Sequence, residues 1–147
     1  MIESIRESFL EKILVKDVMT KSVISVDSST TANDAAKRME DAKIGSIVVI
    51  ENSIPVGIIT DRDFTIKIVG HAYPIDTPVR RLMSFPLITI MPDSHCGVAA
   101  DLMSSMKIKK LPVVDDDQVV GIITVSDLVN HFIMNVKNEP NSLSNLM

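Results

Sequence analysis

Two stretches of the chain place a hydroxyl three residues ahead of a carboxylate, directly after an apolar run. Thr60-Asp61-Arg62-Asp63 follows Val56-Gly57-Ile58-Ile59, and Thr124-Val125-Ser126-Asp127 follows Val120-Gly121-Ile122-Ile123. At the start of a helix this spacing has two chemical uses. It forms a capping box, in which each side chain satisfies a backbone N–H of the first turn. It also suits a ligand, because the N–H donors and partial positive charge of a helix N-terminus favour phosphate oxygens. A carboxylate there accepts hydrogen bonds from two vicinal hydroxyls, such as those of a nucleotide's ribose. Thr60, Thr124 and Ser126 add hydroxyls for a phosphate, Arg62 adds a cation, and flanking branched strands offer an apolar slot for a purine. The two uses are compatible, and spacing alone does not choose between them.

The elements that position these residues are duplicated. The stretches lie 64 positions apart, the distance from Gly57 to Gly121. The same offset pairs Val15 with Val79, Met19 with Met83, Ile24 with Ile88, Ala35-Ala36 with Ala99-Ala100, Met39 with Met103, Lys43-Ile44 with Lys107-Ile108 and Val49 with Val113. Matches spread over the whole period mark a repeated structural unit. Each copy reads strand, helix, strand, strand, helix. In the first, Ser22 to Val26 alternates as a strand, and Thr31-Ala32-Asn33-Asp34 is a capping-box pattern opening a helix with Ala35, Ala36 and Met39 on its apolar face. Ile47 to Ile50 and Val56 to Ile59 are buried strands joined at Glu51-Asn52-Ser53, and a second helix starts near Asp61. In the second copy, Pro86 to Ile90 is the first strand, and Val98, Leu102 and Met106 mark the helix face. Leu111 to Val114 and Val119 to Ile123 are its paired strands across the turn Asp115-Asp116-Asp117, and the last helix runs from Ser126 to Lys137. The expected organisation is an amphipathic helix over 1–14 with Ile2, Ile5, Phe9 and Ile13 as its stripe, copies over 15–69 and 79–137, a linker over 70–78 and a frayed tail over 138–147. The fold class is α/β (α+β).

Bulk properties narrow the function. A chain of 147 residues, 46% hydrophobic, supports a core, and two units of this size stabilise each other. A net charge of -4 provides no broad positive field for nucleic acid or an anionic membrane, and 3% aromatic content without Trp leaves few stacking platforms. The longest apolar runs are far shorter than the roughly 20 residues a bilayer requires. Without a signal-peptide pattern and with one cysteine, the expected compartment is the cytoplasm. His71, His95 and His131 show no ligand spacing, so no metal is expected, and no nucleophile elbow or P-loop accompanies the polar residues, so no catalysis is expected. The acidic run 115–117 reads as a solvated hairpin, Cys96 as an inert buried thiol near a helix start, and Met39, Met103 and Met106 as core filler. Lys107, Lys109 and Lys110 form either a solvated basic face or a supply of charge for phosphates.

The repeated unit ending in Gly-Ile-Ile-Thr-x-x-Asp, with the run Ile108-Lys109-Lys110-Leu111-Pro112-Val113-Val114, resembles cystathionine beta-synthase (CBS) domains over Val15 to Phe132. The resemblance implies a tandem CBS pair, or Bateman module, whose two β-α-β-β-α repeats pack with pseudo-twofold symmetry around two clefts. It implies a stand-alone, non-catalytic regulator binding AMP, ADP or ATP, with S-adenosylmethionine as an alternative, and no cofactor. It further implies a homodimer, as a disc of four repeats, and an unidentified regulated protein. Carried over by position, one cleft joins Thr124, Ser126 and Asp127 to Ser22, Val23, Ile24, Ile44 and Gly45. The other joins Thr60, Arg62 and Asp63 to Pro86, Leu87, Ile88, Ile108 and Lys109. Gly45 against Lys109, and Arg62 against Ser126, make the two unequal. A ligand-free dimerisation scaffold is the rival reading.

Overall fold

The structure is a computed structural model and describes residues 10–138. In chain order its elements are α1 (Val15–Val18), β1 (Ser25–Asp27), α2 (Ala32–Ala42), β2 (Ser46–Glu51), β3 (Ile54–Thr60) and α3 (Asp61–Asp63), which continues as π-helical turns over Phe64–Gly70. A 3-10 turn at Val79–Arg81 follows, then α4 (Cys96–Met106), β4 (Lys110–Asp115), β5 (Gln118–Thr124) and α5 (Val125–Asn138). The mixed α/β character matches the expected class.

The chain forms two compact units that cut across the sequence copies. A continuous unit holds Val23–Ile88, and a split unit holds Met1–Ser22 with Thr89–Met147. The opening turn of each copy therefore packs with the body of the other. In the continuous unit, Val79 and Leu82 are fully buried with Val26, Ala35, Met39, Ile47, Val49 and Ile59. Ser84 exchanges both backbone hydrogen bonds with Ile58, at 2.9 and 3.3 Å. In the split unit Val15 is fully buried, and Thr20 exchanges the same pair with Ile122, at 2.8 and 2.9 Å.

This exchange explains the repeated glycines. A Cβ on Gly121 would stand 2.5 Å from Met19 Sδ and 2.9 Å from the Thr20 carbonyl oxygen, and one on Gly57 would collide with Met83 Sδ. Neither glycine has a positive φ, so close approach of the crossing segment, rather than turn geometry, requires them.

The continuous unit's sheet runs β1-β2-β3, with β1 parallel and β3 antiparallel to β2. Asn52 and Ser53, both with φ near 60°, make the two-residue hairpin turn, and Asp116 and Asp117 repeat it between β4 and β5. Such turns demand positive φ at both central residues and favour Asn and Asp there, so the acidic run is a turn. Thr31 caps α2 by accepting from the Asp34 N–H at 3.2 Å. The expected linker is partly docked: the Thr77 and Ile75 carbonyls accept from the Ala32 and Asn33 N–H groups of α2, at 2.8 and 2.9 Å.

Several expectations need correction. Residues 1–9 of the N-terminal helix lie outside the described residues, and at 11–14 the backbone is turn, bend and an isolated bridge between Leu14 and His95. The first strand occupies Ser25–Asp27 rather than Ser22 to Val26. The strand expected over Pro86 to Ile90 is reduced to one parallel bridge, Ile90 to Val113. The cause lies on its partner strand. In the first copy the Val48 N–H donates to the Ile24 carbonyl at 3.0 Å, whereas the matching residue of the second copy is Pro112, which has no N–H. Only the bonds around Ile90 survive, from Ile90 N–H to Pro112 and from Val114 N–H to Ile90. Finally, α4 buries Cys96, Ala99 and Met103, not the stripe Val98, Leu102 and Met106, and Met106 is half-exposed rather than core filler. Both faces of this helix are apolar, so spacing alone selected the wrong one.

Candidate functional site

Each repeated motif sits where an antiparallel strand runs into a helix. In the split unit, Thr124 ends β5 opposite Lys110, and the next N–H, of Val125, donates to the Lys109 carbonyl at 3.0 Å. Thr124 N–H donates to Asp127 Oδ2 at 3.0 Å, and Asp127 N–H donates back to Thr124 Oγ1 at 3.0 Å. The capping box is therefore complete, and it uses one carboxylate oxygen. The other, Oδ1, accepts from the Thr20 hydroxyl at 3.1 Å. Asp127 and Thr124 are half-buried, while Thr20 and Ser126 are exposed.

The continuous unit builds the same corner with different partners. Asp63 Oδ2 accepts from both the Thr60 N–H, at 2.8 Å, and the Thr60 hydroxyl, at 3.2 Å. The Asp61 N–H donates to the Gly45 carbonyl at 3.3 Å, the counterpart of the Val125 to Lys109 bond. Arg62 is exposed, and its backbone N–H donates to Asp61 Oδ1 at 3.0 Å.

The sixteen sequence-derived site residues divide between the units. Val23, Ile24, Ile44, Gly45, Thr60, Arg62, Asp63, Pro86, Leu87 and Ile88 belong to the continuous unit; Ser22, Ile108, Lys109, Thr124, Ser126 and Asp127 belong to the split unit. Inside the continuous unit, Ile24 and Ile44 pack on the core, Gly45 is tied to Asp61, and Thr60 to Asp63. Inside the split unit, Lys109 is tied to Val125, and Thr124 to Asp127. Pro86 and Lys109 are exposed, and Leu87, Ile88 and Ile108 are half-buried.

Two cavities open beside the helices, one in each unit. One of about 500 Å³ is lined by Ile44, Gly45, Glu40, Lys43, Asp61 and Phe64, among others. One of about 410 Å³ in the split unit is lined almost wholly by apolar residues, including Leu10, Met103, Ile108, Val125 and Phe132.

Thr20 is the residue that sequence reasoning missed. Its signal was present: the 64-position offset that pairs Met19 with Met83 pairs Thr20 with Ser84, keeping a hydroxyl in both copies. Cys96 is buried, and desolvation, followed by the nearby charge of Asp17, pushes its thiol up to about 11. The helix start does not lower it. Among the described residues no three His, Cys, Asp or Glu side chains come together as a metal site, and no helix is long and apolar enough to cross a membrane.

Comparison with known proteins places these features in a family. The family model for the CBS domain matches residues 15–70 and 79–133. The CBS domain-containing protein YhcV of Bacillus subtilis is 35% identical over 114 residues, 78% of this chain and 81% of that protein. Among solved structures, the CBS domain pair of protein MJ0100, in complex with 5'-methylthioadenosine and S-adenosyl-L-methionine, is 30% identical with a TM-score of 0.75. It covers 84% of this chain and 98% of that one. A hexameric CBS-CP12 protein from bloom-forming cyanobacteria is 28% identical with a TM-score of 0.74, covering 80% and 66%.

Proposed function

Because the chain belongs to the CBS-domain family, we propose that it is a non-catalytic, cytoplasmic regulatory module that binds an adenosine-containing ligand, AMP, ADP or ATP, and acts as a homodimer on a partner protein. The carrying observation is the division of labour on Asp127. One oxygen closes the helix cap, and the other accepts from an exposed hydroxyl on a crossing segment. A ribose hydroxyl replaces Thr20 on Oδ1 without opening the cap, so the cap and ligand roles coexist on one carboxylate. Asp63 plays the matching part in the other copy. The sequence-derived sets around these two aspartates are the proposed contacts, with Arg62 on one side and Ser126 on the other facing phosphate.

The complex of MJ0100 supports this choice of ligand class, since both of its ligands contain adenosine. The same fact keeps S-adenosylmethionine as the competing ligand. The hexameric relative supports self-association as a family habit without specifying two copies here. A ligand signals only through unequal affinity for two arrangements of the protein. No cofactor enters this mechanism.

Calorimetric titration of the full chain with AMP, ADP, ATP and S-adenosylmethionine tests the reading, with Asp127→Ala alongside. Binding should weaken at least tenfold in the variant, while loss of the cap costs only about 1 kcal/mol and a few degrees of Tm. Silence of the wild-type chain toward all four compounds would leave the ligand-free scaffold as the function.

A further inference from the structure

The cavity of about 410 Å³ in the split unit lies between α4 and α5, with Leu10, Met103, Ile108, Val129 and Phe132 among its walls. The continuous unit has the matching groove with different chemistry. At the 64-position offset Glu40 replaces Ser104 and Asp61 replaces Val125, and both line the cavity of about 500 Å³ there. A rim of charges is at home in water, whereas an apolar groove of this size calls for a cover. Only one copy needs it.

The path of the chain points to the cover. Leu10, the first described residue, is itself a wall of the apolar cavity, so residues 1–9 leave from its edge. The segment after Leu10 is docked on α4, where the Ile13 carbonyl accepts from the Cys96 N–H at 2.8 Å. Glycine weakens a helix, yet α4 carries Gly97, because a Cβ there would stand 3.0 Å from the Leu10 carbonyl oxygen. The other copy repeats the docking and carries it further. There the Thr77 carbonyl accepts from the Ala32 N–H at 2.8 Å, and Tyr73, at the position matching Phe9, packs on the core of its unit.

We infer that residues 1–9 dock in the α4–α5 groove of their own chain, with the stripe Ile2, Ile5 and Phe9 as the occupant of its apolar cavity. These three recur at helical spacing. A helix over residues 1–9 is about 13 Å long, and the groove wall from Val125 to Phe132 about 10 Å, so the stripe reaches its whole length. The groove of the continuous unit, rimmed by Glu40 and Asp61, gives such a stripe no comparable seat. The docking requires no nucleotide and no second chain.

Hydrogen–deuterium exchange on the full chain tests the seat, with Val129→Asp in the groove and Thr65→Asp as the matching change in the continuous unit. The expected result is exchange of the residue 3–9 amides at least about tenfold slower than in the unfolded chain, in wild type and Thr65→Asp alike, and loss of that protection in Val129→Asp. Unprotected amides in wild type overturn the docking. Protection that survives Val129→Asp, or that Thr65→Asp removes, places the segment elsewhere and overturns it too. Protection that fades on dilution means that the segment seats on a second copy, which overturns docking within one chain. The double variant Ile5→Asp, Phe9→Asp changes no described residue and keeps the test decisive should Val129→Asp fail to fold. It should uncover the groove, raising the fluorescence of 8-anilinonaphthalene-1-sulfonate at least threefold over wild type, and no rise overturns the assignment.

Discussion

Gly121→Ala discriminates sharply between local and tertiary control of the repeated motif. Backbone conformation alone predicts a small gain, because Gly121 lacks a positive φ and alanine lowers the entropy of the unfolded chain by about 0.4 to 1 kcal/mol. The structure predicts a loss. The new methyl carbon stands 2.5 Å from Met19 Sδ, 3.0 Å from Met19 Cγ and 2.9 Å from the Thr20 carbonyl oxygen. The Met19 side chain can turn aside, but the Thr20 backbone is held by two hydrogen bonds to Ile122, at 2.8 and 2.9 Å. Relief therefore requires overpacking strain of about 1 to 3 kcal/mol or the weakening of bonds worth about 1 kcal/mol each. The expected destabilisation is about 1 to 3 kcal/mol in urea unfolding, with an unchanged m-value. In the double variant Met19→Ala, Gly121→Ala, coupling should recover only the part due to the sulfur, because the Thr20 carbonyl remains. A Gly121→Ala chain within about 0.5 kcal/mol of wild type, or more stable, refutes the close packing of the crossing segment.

Further predictions follow from single positions. Cys96 should resist iodoacetamide at pH 8 until the chain unfolds, since burial keeps the thiol protonated. Its folded pKa, about 11, lies above the ordinary 9.0, so its contribution to stability is fully present below pH 9 and is lost as pH rises toward 11. Cys96→Ala should flatten the fall of Tm over that window, and an identical fall in both proteins would contradict the assignment. Lys43 and Lys107 end α2 and α4 in the left-handed region, with φ of 56° each. Lys43→Gly should therefore raise stability by about 0.5 to 1 kcal/mol, measurable as a higher urea midpoint.

What was legible in the sequence was local or periodic. The apolar runs of β2, β3, β4 and β5, the turns between them and the Thr31 cap depend on residues a few positions apart, and each formed close to its expected place. The first strand of the second copy was not legible, because its absence depends on a missing N–H at Pro112, more than twenty positions away. The α4 face failed for another reason: apolar residues at two helical phases make spacing ambiguous, and only packing against the sheet identifies Cys96, Ala99 and Met103 as the buried set.

At the candidate site the same boundary holds. The sequence by itself determined the duplication, the strand-to-helix corners and the hydroxyl-carboxylate pairs Thr60–Asp63 and Thr124–Asp127, since a capping box spans one helical turn. Tertiary structure decided which opening segment crosses each corner. A 64-residue repeat reads the same whether Met19 and Thr20 lie on Gly57 or on Gly121, because both strands offer the same glycine and the same apolar neighbours. Only the three-dimensional packing sets them on Gly121 and Ile122, and so brings Thr20 to within hydrogen-bond distance of Asp127, 107 residues away in the chain.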